Sequence, residues 1–204
     1  MENNNRFEKL ATSWDSKPQR VKGAMSFANK VKEFLPKDIS NFKILDYGCG
    51  TGLVSFCFSN DVKSIDGLDN SKSMIEVYNE KSNKIGMKNI QGFVHNINEQ
   101  DLEKDKYDLI VTNMTMHHIK DPKDFITKLS ASLKPNGYLA IADLKTEDGK
   151  FHSDNTGVEH FGFDFNKIEQ YFKDNNLKNI KCDLFETINK PHNTYEVYYI
   201  IGQK

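Results

Sequence analysis

Residues 46–52 read Asp-Tyr-Gly-Cys-Gly-Thr-Gly (DYGCGTG), so three glycines stand at alternate positions shortly after an acid. The apolar run 42–47 before them has the length of a strand, and LVSFCFS after them has a helical pattern. The stretch therefore predicts a sharp strand-to-helix turn, which in open α/β sheets is where ligands bind. Glycines there adopt positive φ and let a ligand reach the main chain and the free N–H groups of the helix. A turn that is merely tight would also use glycine.

The rest of the sequence alternates strand-length apolar runs with helical periods, which predicts βαβ units and a parallel sheet. A first helix is expected over about 17–35, capped by Ser16 and ended by Pro36. Asn70 or Ser71 should cap a later helix, a further helix should span about 122–133, and Asp164 should cap the last one. Seven strands are expected, at 42–47, 62–69, 90–95, 107–112, 138–143, 179–185 and 195–201. The connection between the last two is too short for a crossover helix, so they should form an antiparallel hairpin at the sheet edge.

Length and charge limit the protein's class. The chain has 204 residues, enough for one domain with a full core and too few for two ordinary domains. Lys and Arg number 28 against 29 Asp and Glu, and the net charge is -1. No overall positive field therefore recruits nucleic acid or an anionic membrane.

Cysteine usage and the chain start bear on location. The cysteines Cys49, Cys57 and Cys182 are odd in number and lack C-x-x-C spacing, which favours reduced thiols in a cytosolic compartment. The start MENNNRFEKL lacks the basic and apolar segments of a signal peptide. No apolar run approaches the roughly 18 residues of a membrane span. We therefore expect a soluble, cytoplasmic protein without membrane insertion.

Two cofactors bind through glycine turns of this kind, and spacing and charge favour one of them. Dinucleotides place a pyrophosphate on the helix N-terminus, usually at G-x-G-x-x-G. Here the spacing is G-x-G-x-G, Leu53 takes the third dinucleotide position, and Asp46 would lie near the phosphate charges. S-adenosylmethionine carries a positive sulfonium and a positive ammonium, which Asp46 can attract directly or through water.

Asp69 ends the second expected strand, about 20 residues after the glycine turn. An acid at this place can accept hydrogen bonds from both ribose hydroxyls. Dinucleotide sites use the same arrangement, so Asp69 does not separate the two cofactors. A carboxylate that stabilises the start of the next helix is the alternative role.

Four motifs together resemble class I S-adenosylmethionine-dependent methyltransferases of the small-molecule type, related to ubiquinone/menaquinone biosynthesis methyltransferases. They are ILDYGCGTG (44–52), GLDNSKSMI (67–75), YDLIVTNMTMHHI (107–119) and LKPNGYLAIADL (133–144). The resemblance implies an α/β, Rossmann-like, seven-stranded sheet, mostly parallel with an antiparallel C-terminal hairpin and with helices on both faces. It implies one domain over 1–204: a leading cap (1–36), a cofactor-binding core (42–144), a substrate-side loop (144–163), and a C-terminal helix and hairpin (164–204).

Matched position by position, the resemblance implies a set of cofactor contacts. The methionine end contacts Asp46, Gly48, Gly50 and Gly52, the ribose contacts Asp69, the adenosine lies beside Asn70 and Met74, and Asn113 opens the segment that borders the transferred methyl. Asn96 stands where the family usually has an acid for the adenine amino group; its amide oxygen can accept that bond, but without a charge. Ile97 would offer its backbone N–H to the ring. Trp14 either covers the bound ligand or packs on the sheet.

The implied reaction is an in-line methyl transfer to a small-molecule acceptor. Catalysis is then mainly positioning, and no particular catalytic residue is required. The segment 113–118 lacks the [DN]-P-P-[YF] element of amide and exocyclic-amine methyltransferases, and no Pro-Cys nucleophile of the cytosine C5 type is present. These absences disfavour nucleic-acid and protein-amide substrates. A nicotinamide-dependent oxidoreductase and a noncatalytic S-adenosylmethionine-binding module remain the alternatives.

Histidines supply the candidate bases. The resemblance places His118 toward the cofactor, where it shapes the site, accepts a proton from the acceptor, or is simply structural. His117 should project about 100° away on a helix and serve a different task. His152 and His160 lie in a long polar loop expected to overhang the site, so they are either substrate contacts or bases, or ordinary exposed histidines. Their spacing matches no ligand motif, and we expect no metal.

Overall fold

The computed structural model describes residues 5–204, and the first four residues of the leading segment lie outside this range. The described helices are α1 (Asn5–Leu10), α2 (Pro18–Phe34), α3 (Leu53–Phe58), α4 (Lys72–Lys84), α5 (Pro122–Ser132) and α6 (Phe165–Asp174), with 3-10 turns at Ala11–Ser16 and Met116–His118. The strands are β1 (Lys43–Tyr47), β2 (Ser64–Asp69), β3 (Ile90–Val94), β4 (Tyr107–Asn113), β5 (Leu133–Leu144), β6 (Lys178–Lys190) and β7 (Asn193–Gln203). None of these helices is both long enough and apolar enough to cross a membrane.

The sheet is the seven-stranded, mostly parallel one expected from the sequence. Its order is β3-β2-β1-β4-β5-β7-β6. Strand β7 runs opposite to the other strands, so its pairs with β5 and β6 are antiparallel. One face packs on α2 and α3 through Phe27, Val31 and Phe58, and the other on α5 and α6 through Phe125 and Phe172. The strand order reverses between β1 and β4, and the glycine turn follows β1 at this switch point, where open α/β sheets bind ligands.

The C-terminal hairpin is confirmed but is longer than its sequence pattern indicates. Strand β6 continues to Lys190, and β7 begins at Asn193. The segment ETINKPHN reads as a loop because it is mostly polar, yet Ile188 is buried opposite Tyr195 in the pairing. A strand that is buried on only one face needs apolar residues at alternate positions at most, so the remaining positions can be polar.

Two of the helix caps expected from the sequence are confirmed, and one is wrong. Ser71 accepts a hydrogen bond from the Met74 N–H and Asp164 accepts from the N–H groups of the next helix, as expected. Ser16 does not cap α2, because its hydroxyl donates to the Ser13 carbonyl (2.6 Å) at the end of a 3-10 turn. Helix α2 instead begins with Pro18, whose fixed φ suits the first helical position.

The three glycines of the turn all have positive φ, but they face different surroundings. A Cβ atom at Gly48 would overlap the Thr115 side chain, and one at Gly52 would lie 2.7 Å from ring carbons of Tyr78. A Cβ atom at Gly50 would meet nothing nearer than Met74 Sδ at 3.9 Å and Trp14 Nε1 at 4.0 Å. Packing therefore explains two of the glycines, and Gly50 is the one whose Cβ position has only ordinary van der Waals neighbours.

Asp46 holds the start of α3 from below the turn. Its Oδ2 accepts hydrogen bonds from the Ser55 N–H (3.0 Å) and the Ser55 hydroxyl (2.6 Å). Burial raises the pKa of this carboxyl to about 7, the bonds from Ser55 lower it, and the charge of Asp69 raises it further. The acid that the sequence assigned to the cofactor thus also fixes the strand-to-helix connection.

We predict that Gly52→Ala destabilises the protein more than Gly50→Ala does. Each alanine loses about 1–2 kcal/mol of unfolding free energy because its backbone is left-handed. The alanine at 52 loses about 1–3 kcal/mol more because its Cβ atom overpacks against Tyr78. Urea denaturation of the two variants measures the difference. Equal losses of unfolding free energy would contradict the different surroundings of the two glycines.

We predict that Asp46 makes the protein less stable as pH rises from about 4 to about 7. In this range the unfolded carboxyl loses its proton while the folded carboxyl, with a pKa raised from 3.8 to about 7, retains it. The slope contributed is at most about 1.4 kcal/mol per pH unit. Asp46→Asn keeps an oxygen for Ser55 and should remove this part of the slope in urea titrations at several pH values. An unchanged slope would show that Asp46 is already ionised in the folded protein at low pH.

Candidate active site

Asp69 ties the end of β2 to the glycine turn. Its Oδ2 accepts a hydrogen bond from the Gly50 N–H (2.8 Å) and its Oδ1 from the Ser71 N–H (2.9 Å). Burial raises the pKa of this carboxyl and the nearby charge of Glu8 adds to the rise, while the backbone bonds oppose both. The acid expected at the ribose therefore stands directly beside Gly50, with Asn70 following it on the exposed side of the strand end.

The N-terminal segment contacts the glycine turn and the start of α4 through two acids, Asp15 and Glu8, that the sequence analysis did not identify. Glu8 accepts from the Ser71 hydroxyl (2.8 Å) and the Ser73 N–H (3.0 Å) at the start of α4. Asp15 accepts from the Thr51 hydroxyl (2.5 Å) in the glycine turn and forms an ion pair with Lys81 (2.6 Å). These partners lie 36 to 66 positions apart along the chain, so no local sequence pattern indicates the arrangement.

Trp14 faces the open side of Gly50. Its ring is covered by the Arg20 guanidinium, 3.5 Å from the ring centroid, and contacts Phe7 at a centroid distance of 5.8 Å. Met74 approaches Gly50 from α4 and is buried. The structure places Trp14 beside the glycine turn, and its role over a bound ligand stays a prediction.

Two residues expected at the adenine make contacts within the chain. The Ile97 N–H donates to the Tyr47 hydroxyl (3.0 Å), and the Asn96 Oδ1 accepts from the Asn98 N–H (3.1 Å). An adenine ring would have to replace or share these bonds. The adenine roles of Asn96 and Ile97 stay predictions.

The segment after β4 turns sharply against the glycine turn. Met114 has a φ of 55°, a left-handed conformation that is uncommon outside glycine and clusters at functional sites. The Thr115 hydroxyl then lies 3.2 Å from the carbonyl oxygen of Asn113 and 3.4 Å from that of Gly48. Asn113 and the residues after it therefore wall the turn, in line with their expected place beside the transferred methyl.

Three histidine rings meet beyond this segment. The His117 Nδ1 lies 2.7 Å from Asp143 Oδ1, the His118 Nδ1 lies 2.7 Å from the Gly157 carbonyl oxygen, and the His152 Nε2 lies 3.2 Å from His117 Nε2. The expectation that His117 and His118 point apart is wrong, because their ring centroids are 4.1 Å apart in a 3-10 turn. The loop after β5 does overhang the site and contributes His152.

The surroundings of these rings keep two of them neutral at pH 7. Desolvation, followed by the nearby His117, lowers the pKa of His118 to about 4 and that of His152 to about 3. His160 lies apart from the cluster; its Nε2 is 3.0 Å from the Ile119 carbonyl, and its N–H donates to the His117 carbonyl. These contacts attach the loop at His160 to the backbone of residues 117 and 119, and the catalytic role of His160 stays a prediction.

The sequence was compared with families and with curated proteins. The family model described as "Methyltransferase domain" matches residues 38–196. An uncharacterized methyltransferase of Schizosaccharomyces pombe is 37% identical over 155 residues, covering 69% of this chain and 55% of the relative. A ubiquinone biosynthesis O-methyltransferase of Pelagibacter ubique is 31% identical, covering 68% of this chain and 62% of the relative. The chain thus spans somewhat over half the length of these relatives.

Solved structures share the fold. The phosphoethanolamine N-methyltransferase 2 of Haemonchus contortus, in complex with phosphomonomethylethanolamine and S-adenosylhomocysteine, superposes with a TM-score of 0.70 at 16% identity, covering 85% of this chain and 51% of that one. The fold, the glycine turn at its switch point and the family match over most of the chain agree. The chain belongs to the methyltransferase domain family and has the class I S-adenosylmethionine-dependent methyltransferase fold.

Proposed function

We propose that this chain transfers the methyl group of S-adenosylmethionine to a small-molecule acceptor. The observation that carries the proposal is the open Cα of Gly50, framed by Trp14, Met74 and the carboxylate of Asp69. The space around Gly50 would admit a Cβ atom, so the glycine is favoured by its left-handed backbone and by the close approach of a ligand to the main chain. The family match supports the same conclusion.

The charge around the turn suits a cationic cofactor. Asp46 lies below the turn, Asp69 beside it and Glu8 at the start of α4. In addition to burial, the charge of Asp69 raises the pKa of Asp46, and the charge of Glu8 raises the pKa of Asp69. A sulfonium and an ammonium relieve this repulsion, whereas a diphosphate would increase it. The alternative of a nicotinamide-dependent oxidoreductase is therefore disfavoured.

Binding and orientation account for the mechanism. S-adenosylmethionine, when bound, supplies a methyl group on a positively charged sulfur. The chain's own task is to hold the acceptor in line with that methyl, and positioning of this kind contributes about 7–11 kcal/mol. Residues 113–118 form the wall nearest the turn, and Trp14 and Phe7 cover it from the N-terminal segment.

The histidines define the acceptor side. His118 donates from Nδ1 to the Gly157 carbonyl, so its Nε2 is the atom that accepts a proton if His118 serves as the base. The O-methyltransferase activity named for the Pelagibacter ubique relative supports a hydroxyl group as the acceptor. The net charge of -1 gives no overall positive field that would attract nucleic acid, which supports a small molecule as the acceptor.

We predict that Asp69→Ala weakens S-adenosylhomocysteine binding by about 1–3 kcal/mol, because charge-assisted bonds to the ribose are lost. Trp14 is the only tryptophan, so its fluorescence reports binding beside Gly50. Asp66→Ala is the matched control, since Asp66 lies on the same strand but bonds to the Tyr107 hydroxyl. An unchanged titration of Asp69→Ala would remove Asp69 from the site, and tight NADH binding without S-adenosylhomocysteine binding would overturn the choice of cofactor.

We predict that the chain releases S-adenosylhomocysteine from S-adenosylmethionine only when a small hydroxylated acceptor is present. A panel of phenols, catechols and hydroxy acids, followed by mass spectrometry of the methylated product, tests this. Gly50→Val should abolish turnover because its side chain fills the space facing Trp14. Cofactor binding without turnover on any acceptor class would favour the noncatalytic binding module.

A further inference from the structure

We propose that His117, His118 and His152 form a binding site for a divalent transition-metal ion, with zinc as the best match. Their ligand nitrogens all lie within 4.8 Å of one another. Two of them come from the 3-10 turn after β4 and the third from the loop after β5, so the fold brings together residues 35 positions apart.

His117 is oriented as a metal ligand is. Its Nδ1–H donates to the buried carboxylate of Asp143 (2.7 Å), whose other oxygen accepts from the His117 backbone N–H (3.2 Å). These bonds fix the tautomer and turn Nε2, with its lone pair, toward His152. A carboxylate behind a histidine is the usual partner of metal-binding imidazoles and increases their basicity.

The His118 ring is also held by a hydrogen bond from its Nδ1, in this case to a main-chain carbonyl. A backbone carbonyl can only accept, so the His118 Nδ1 carries the proton that binds the Gly157 oxygen at 2.7 Å. The lone pair of the neutral ring is then on Nε2. A hydrogen bond from Nδ1 to a main-chain carbonyl is a frequent support of metal-binding histidines.

The spacing of His117 and His152 fits a shared ion. Their Nε2 atoms are 3.2 Å apart, and two nitrogens bound to one tetrahedral zinc at about 2.0–2.1 Å are separated by about 3.3 Å. A hydrogen bond between the two rings would give a similar distance. The third ring distinguishes the two arrangements, because a hydrogen bond between two rings does not require a nitrogen of His118 within 4.8 Å of both.

The ligand set indicates a site of the catalytic type. Imidazole suits zinc, copper, iron and nickel, and three protein ligands leave a fourth position for water or substrate. Resting on the proposed function, that position takes the acceptor hydroxyl, whose pKa the ion lowers so that its proton leaves to water. In this arrangement His118 is a metal ligand, and the ion rather than His118 prepares the acceptor.

The nearby cations favour a negatively charged fourth ligand. Arg6 donates to the Asp154 carbonyl and Lys190 to the Phe151 carbonyl, so both cations lie against the loop that carries His152. They repel a divalent ion, and Asp143 offsets only part of this. Hydroxide or an ionised acceptor on the metal balances the remaining charge.

Zinc and cobalt titrations of the tag-free, chelator-treated chain test the site. We expect one equivalent of Zn²⁺ by calorimetry, and with Co²⁺ the intense visible absorption of a tetrahedral complex. His152→Ala removes a half-buried loop ligand and should weaken binding at least 10-fold, as should His118→Ala. His192→Ala is the matched control, because the His192 ring contacts the Lys150 carbonyl and the Tyr195 hydroxyl and does not belong to the cluster.

Circular dichroism and S-adenosylhomocysteine binding show whether each variant is folded. Failure of the wild-type chain to bind one equivalent, or equal binding by wild type and folded His152→Ala, would overturn the metal site. Because the titrations need neither cofactor nor acceptor, a wild-type chain that binds S-adenosylhomocysteine but no zinc contradicts only the metal site. Zinc binding without S-adenosylhomocysteine binding contradicts only the proposed function.

Discussion

The left-handed backbone of residues 48, 50 and 52 is the constraint on which the rest of the structure depends. It reverses the chain within a few residues of β1 and directs α3 back along the sheet. Thr115 and Tyr78 pack against the bare Cα atoms of Gly48 and Gly52, so β4 and α4 take their positions from the same turn. Because the strand order reverses here, a crevice for a ligand lies at this edge, and the glycines let the ligand reach the main chain there.

Carboxylates surround this turn, and each is held by backbone or hydroxyl donors. Asp46 fixes the start of α3, Asp69 fixes Gly50, Glu8 fixes the start of α4, and Asp15 fixes Thr51. The same bonds that stabilise the fold therefore concentrate negative charge at one place. Unpaired negative charge in a partly buried site is costly, and a cation that binds there lowers this cost. Structure and cofactor preference share one electrostatic cause.

The parts of the molecule that depend on local pattern could be predicted, and the parts that depend on loop paths could not. The glycine turn, Asp69 at a strand end and the caps of α4 and α6 are all specified within a few residues of sequence. The meeting of His117 with His152 depends on the path of a long polar loop, and no spacing rule encodes it. The helical projection used for His117 and His118 failed because their ring positions follow from distant partners, Asp143 and the Gly157 carbonyl, which hold the ring centroids 4.1 Å apart. The end of β6 was likewise not predicted, because its residues are mostly polar and only one face of the strand is buried.

The position of β7 between β5 and β6 has a consequence for the order in which the sheet is completed during synthesis. Strand β6 pairs only with β7, so it emerges from the ribosome before its partner exists. Meanwhile β5 presents an unpaired edge on the side that β7 will occupy. Two strand edges thus stay open until residues 193–203 have been made, and open edges are the places where nascent chains associate wrongly. Insertion of β7 between β5 and β6 therefore closes both edges in one step, and chaperone binding before it would protect both edges together.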